Sequence, residues 1–194
     1  MRHGFVTMRY NMIRDYEADL LKIVHNDVET EPELQVVTTE QFTGLENDNS
    51  RPDIRAKGVW REHQNAYFDV RVTNVNSESQ KNMPIDKILS KHEKEKKRLY
   101  NNRIMNVEHG TFTPLVFSVT GGEGPETSMF HKHLASKISQ KTEDRYERVL
   151  TLMRCKLSFL ILRAVLTCLR GSRSYSRPNV IAGDFGLTCH TVRL

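Results

Sequence analysis

The sequence predicts an α/β (α+β) domain, a short mixed β-sheet flanked by helices. Three observations carry this. Apolar and polar residues alternate strictly from Tyr67 to Thr73, the period of a strand with two unlike faces. Apolar positions recur at helical spacing within 11–25, 84–103 and 142–169. A nearly continuous apolar run, Thr111 to Thr120, reads as a strand covered on both sides. At 194 residues the chain suits one domain with arms. The predicted order is helix, strand, strand, helix, strand, helix, helix, without internal repeats.

Residues 11–25 (NMIRDYEADLLKIVH) form the first helix, with Ile13, Glu17, Leu20, Leu21 and Val24 on one face and Asn11, Asp15 and Asp19 on another. The stretch 26–50 is acidic and turn-rich, with an apolar patch at Leu34–Val37 that could make a short strand. From Arg51 to Asn74 a strand carrying Asp53, a polar turn (REHQNA, 61–66) and a second strand read as a hairpin with a loop longer than two residues. On the second strand Phe68, Val70 and Val72 share one face; Tyr67, Asp69, Arg71 and Thr73 share the other.

Pro84 suits the first turn of a helix running to about Arg103. Its inner stripe reads Ile88, Leu89, His92, Lys96 and Leu99, which leaves Lys91, Lys94 and Lys97 outside. In the following strand Pro114 fits the beginning or an irregularity. Gly121, Gly122 and Gly124 then end the strand as a plain turn, because GGEG lacks the lysine and hydroxyl residue of a phosphate loop. A helix over 126–140 holds His131 and His133, which diverge at a spacing of two and make a poor metal pair. Thr142 to Leu169 is the principal core helix, capped by Gly171, with Cys155 and Cys168 as buried thiols. Its most apolar part is interrupted by Arg163, as in a core helix and unlike a membrane span. Residues 1–50 thus read as helix and acidic loop belonging to the domain, 51–171 as the core with its C-terminal helices, and 172–194 as a loosely ordered tail.

The net charge of +5 conceals an asymmetry, since residues 1–50 carry ten acidic and only four basic side chains. A basic body fits a polyanionic partner or an ordinarily solvated surface. Cys155, Cys168 and Cys189 are too few and too widely spaced for a disulfide framework or a closed zinc site, which fits a reducing intracellular compartment. The first fifteen residues lack the apolar core of a signal peptide.

Pairing the two strands of the hairpin would bring Asp53 close to Asp69. Two converging carboxylates beside a cation make a minimal oxygen-ligand site for Mg²⁺. Such a metal would acidify a bound water and polarise a phosphate oxygen, while a nearby cation stabilises developing charge. Arg71 could supply that charge but stays protonated; Lys96, from the helix packed over the strands, is the better proton carrier. Asp15 or Glu17 could complete the metal shell, and the lysine-rich helix (Lys87, Lys91, Lys94, Lys97, Arg98) could contact phosphates. The plain alternatives are an ion-pair ladder at Asp69 and Arg71, a turn closed by Asp53, packing or surface roles for His92 and His109, and an apolar anchor at Trp60.

The RPDI (51–54) and FDVRVTN (68–74) segments together resemble the PD-(D/E)xK nuclease superfamily. More closely, the chain is similar to the restriction-endonuclease-like domain of certain non-long-terminal-repeat retrotransposon polyproteins. Arg9-Tyr10-Asn11 and Arg14-Asp15 on the first helix, the Phe68-Asp69-Val70 strand, the basic helix ending in Tyr100 and the FTPLVFSVTGG strand (112–122) match its ordered segments. Arg71 stands where that family has lysine, and Tyr10 where it has histidine. The resemblance implies a restriction-endonuclease-like core and an endonuclease dependent on Mg²⁺ or Mn²⁺ that nicks DNA. Asp53 and Asp69 would hold metal with help from Asp15, while Arg71 and Lys96 stabilise or activate. It also implies DNA and element RNA as partners, a reverse transcriptase domain in a fuller-length relative, nuclear location and no membrane. With the zinc knuckle and reverse transcriptase absent upstream, the chain is expected to be a C-terminal fragment. The alternative within the same fold is a decayed site that only binds nucleic acid.

Overall fold

A computed structural model of the chain describes the backbone of residues 3–35, 51–78, 80 and 82–170, and the side chains of all of these except 3–9 and 168–170. The possible strand at Leu34–Val37 falls partly outside this range, and Leu34 and Gln35 are not in a strand. The Cys168 side chain, the Gly171 cap, Cys189 and the tail lie outside it.

The elements are α1 (His3–Val24), β1 (Val28–Thr30), β2 (Ile54–Lys57), β3 (Asn65–Thr73), α2 (Ile85–Asn106), β4 (Thr111–Ser118), α3 (Pro125–Thr142) and α4 (Tyr146–Arg170). The sheet runs β1-β2-β3-β4. β1, β2 and β3 pair antiparallel, whereas β3 and β4 are parallel and joined by the α2 crossover. This is the mixed sheet with flanking helices that the sequence predicts.

Alternation on β3 divides the molecule into layers. Phe68 and Val70 join Ile54, Ala56, Leu115 and Phe117 in the main core, covered by α1, α3 and α4. Tyr67 faces the opposite way, into a smaller cluster with Phe112 and with Tyr100 and Ile104 of α2. β4 is buried along nearly its whole length, as its apolar run requires. Pro114 sits inside this strand because β4 ends the sheet. Its even-numbered backbone groups face outward, where Val116 N–H donates to Thr127 Oγ1 (2.8 Å) and Ser118 N–H to the Gly122 carbonyl (2.8 Å). A missing N–H at Pro114 therefore breaks no ladder bond.

Several sequence expectations change. The acidic stretch after α1 holds its short strand at Val28–Thr30, ahead of Leu34; its three residues are tied to β2 by Arg55, which reaches Asp27 (3.2 Å) and Glu29 (3.1 Å). Asp53 precedes β2 and is not within it, although its backbone stays paired to Phe68 and Glu31. Leu99 is 53 % exposed, because the helical pitch gives the inner position after Lys96 to Tyr100. Thr142 ends α3, and Glu143 in the left-handed region (φ 55°) separates it from α4. Cys155 is exposed on α4, not buried. Trp60 anchors the hairpin, stacked on His133 and edge-on to Phe130, with its indole N–H donated to Thr113. No described helix is long and apolar enough to cross a membrane.

Candidate functional site

The site is built where the polar face of β3 meets α2. Every second residue of β3 finds a partner along that helix. Thr73 Oγ1 lies 3.1 Å from His92 Nε2, Arg71 Nη1 2.9 Å from Glu95 Oε2, and Asp69 Oδ2 2.6 Å from Lys96 Nζ. Tyr67 and Tyr100 close the row in one apolar cluster. Strand alternation thus meets helical periodicity along a shared line.

Asp53 joins from the neighbouring chain segment. Its backbone N–H donates to the Phe68 carbonyl (2.9 Å), and its carboxylate Oδ2 accepts the Val70 N–H at 2.5 Å. This aims the side chain across β3 toward Asp69. The two acids are 5 % and 3 % exposed. Burial, reinforced by the charge of Asp69, pushes Asp53 up to about 8; the Val70 amide and Lys96 oppose the shift. Burial also raises Asp69, against the pull of Lys96, the Tyr100 hydroxyl and Arg71. With an ammonium and a phenol on Asp69, the proton of the pair belongs on Asp53. Lys96 Nζ also sits 5.4 Å above the Tyr100 ring, so the tyrosine holds both members of the ion pair.

Arg71 shares the sheet face with Asp69 as expected, but its guanidinium is turned onto Glu95. That carboxylate also meets His92 Nδ1 at 3.3 Å, and both contacts hold its pKa down. Burial and the Arg71 charge lower His92. Lys96 of α2, and not Arg71, therefore makes the ion pair with Asp69.

Asp15 is in an ion pair with Arg14 on α1. Arg14 holds it at 2.9 Å and also binds Glu31, whose N–H donates to the Asp53 carbonyl (2.7 Å). Glu17 is fully buried elsewhere, 3.1 Å from His131 Nε2, while His131 Nδ1 lies 2.6 Å from Glu123 and Glu123 binds Arg154. This second polar cluster escaped sequence reasoning because its members are scattered over α1, the turn after β4, α3 and α4. A carboxylate on the apolar stripe of α1 was its only sequence signal. His131 and His133 diverge as predicted, His133 bonding the Val59 carbonyl.

Among the described residues no group of three or more His, Cys, Asp or Glu side chains gathers to hold a metal ion. Asp53 and Asp69 remain as a buried pair of acids, both raised above the ordinary carboxylate range. That donor set fits a small oxygen-seeking divalent cation that keeps several waters, as Mg²⁺ and Mn²⁺ do.

Of the residues expected to meet phosphates, Lys97 is engaged with Glu126 at 2.7 Å. Lys87, Lys91, Lys94 and Arg98 are exposed. At roughly 100° per residue they lie about 160–220° around α2 from Lys96. They face away from the carboxylates.

Compared with known proteins, the chain matches no family model and no curated sequence.

Proposed function

We propose that the chain is a metal-dependent DNA endonuclease-like domain of mobile-element origin that nicks DNA by phosphodiester hydrolysis. One observation carries this reading: Lys96 Nζ rests 2.6 Å from Asp69 Oδ2, beside the buried Asp53. Two acids and a lysine meet there from three separate parts of the chain.

Asp53 and Asp69 would hold Mg²⁺ or Mn²⁺, which supplies Lewis acidity toward the phosphate and a more acidic water. In hydrolysis a bond forms from water oxygen to phosphorus and the bond to the leaving oxygen breaks, so negative charge grows on the phosphoryl group. The Lys96 ammonium, partly exposed, is the side chain that would meet that charge. Tyr100 keeps it in place. Arg71 adds a fixed charge further along the face, partly neutralised by Glu95.

The test is plasmid nicking by the purified chain in Mg²⁺ or Mn²⁺, with an EDTA control and Asp53→Ala and Asp69→Ala variants checked for folding by circular dichroism. Nicking is expected from the parent and from neither control. Retained cleavage in both variants would overturn the reading. The second reading, a catalytically decayed nucleic-acid-binding domain of the same fold, is favoured by the arginine locked onto Glu95 in the lysine position. DNA binding with no metal-dependent nicking would establish it.

A further inference from the structure

The segment KHEKEKKR (91–98) looks charge-balanced in sequence, with Lys91–Glu95 and Glu93–Lys97 at the four-residue spacing that supports ion pairs along a helix. The fold breaks that balance. Glu93 is buried and turned onto α3, where its Oε1 accepts the N–H groups of Glu126 (3.0 Å) and Thr127 (3.3 Å). Glu95 is committed to Arg71 and His92. Lys96 and Lys97 are likewise engaged, by Asp69 and Glu126. What remains on the outer face is Lys87, Lys91, Lys94 and Arg98, exposed and in ion pairs with no described residue, with the exposed Asp86 beside the first two.

Their spacing is regular. At 1.5 Å per residue they rise in steps of about 6, 4.5 and 6 Å, a ridge about 16 Å long. The phosphates of one DNA strand rise about 3.4 Å each along the axis while winding around it, so a straight ridge of that length stays beside only about three of them. Beyond Arg98 the same side of the helix continues with Asn101 and Asn102, amides that can donate to phosphate or sugar oxygens.

We propose that this outer face of α2 binds a nucleic-acid backbone as a site separate from the Asp53–Asp69–Lys96 centre. The choice of nucleic acid as the polyanion rests on the nuclease-like reading; the location of the ridge does not. Because α2 stands between ridge and carboxylates, a phosphate seated on the ridge is not the one presented to Lys96. The ridge holds a second stretch of the same duplex or a second molecule, and it sets affinity without sequence preference.

The experiment measures binding of a short labelled duplex by fluorescence anisotropy across a salt series in EDTA, using the full chain. The parent is compared with a quadruple variant (Lys87→Gln, Lys91→Gln, Lys94→Gln, Arg98→Gln) and with a charge-matched control (Lys132→Gln, Lys137→Gln, Lys141→Gln, Lys57→Gln). Glutamine is a good helix former, so exposed α2 positions tolerate it. Each phosphate left unneutralised lowers the slope of log K against log salt by about 0.9. The quadruple variant should therefore lose about 3 from the slope magnitude, and the control little. An unchanged slope in the quadruple variant, or equal reductions in both, would overturn the inference. So would tighter binding of anionic lipid vesicles than of DNA by the same four residues.

Nicking by the parent and the quadruple variant, read separately, distinguishes failure of the ridge from failure of the carboxylate site. An unchanged salt slope with nicking intact rejects only the ridge. A reduced slope without any nicking rejects only the enzyme.

Discussion

Removing the Lys96 ammonium would leave Asp69 buried without its cation. Breaking such a pair from one side costs about 3 kcal/mol or more, whereas replacing both partners by uncharged groups is often nearly neutral. Lys96→Met alone should therefore destabilise by about that amount in urea titration, and Asp69→Asn with Lys96→Met should lose much less than the sum of the two single changes. Strict additivity would mean that the 2.6 Å contact carries no coupling. The same Lys96 is legible in sequence as a charged residue on an apolar stripe. Glu95, the partner of Arg71, is not. Strand alternation assigns Asp69 and Arg71 to a face, but it does not say which turn of a distant helix crosses that face, and so leaves each partner open. Leu99 fails for a related reason, since spacings of three and four both fit a helical stripe until packing selects one.

Between α2 and α3 the contact depends on a residue without a side chain. A Cβ at Gly124 would lie 2.1 Å from Glu93 Oε1 and 2.7 Å from its Cδ. Glu93 could not then keep the two amides at the start of α3. Gly124→Ala should cost about 2 kcal/mol through this overlap and the amide bonds broken with it. In a Glu93→Ala background the added cost should shrink, since the obstructing carboxylate is gone. Denaturation of the four proteins in the cycle measures this, and an undiminished penalty would show the clash to be elsewhere. The long elements are readable because periodicity over many residues outweighs local noise. β1 is not, because a three-residue acidic strand has too few positions to show a period; it is held by Arg55 from across the sheet. Cys155 is misplaced by sequence because the apolar run that follows it covers several faces of α4, and exposed Phe159 and Leu162 show that hydropathy alone does not choose its inner face.

Across the whole molecule, the His131 cluster ties α1, α3, α4 and the turn after β4 together. Glu17 and Glu123 raise His131 to about 9 against the lowering effect of burial, so the ring is a cation donating to both carboxylates at neutral pH. Its folded pKa lies above the ordinary 6.5, so the stability it contributes is complete below about 6.5 and lost as pH rises through about 9. The stability difference between the parent and His131→Gln should therefore narrow across that window. Asp53 also titrates there, but in both proteins, and cancels in the difference. Urea titrations at a series of pH values read the result directly; a difference independent of pH would reject the charged assignment. No sequence period links Glu17 to His131, so a network of this kind becomes visible only when the helices are packed.

On the far side of β4 the hydrogen-bonding groups are occupied by Thr127 and the Gly122–Gly124 turn, and Pro114 offers none to donate. A strand edge closed in this way gives no template to a passing extended chain, so growth into cross-β fibrils from that border is blocked. Thr127→Val would keep that border covered but leave the buried Val116 amide without its acceptor, a loss of about 1–3 kcal/mol in urea titration.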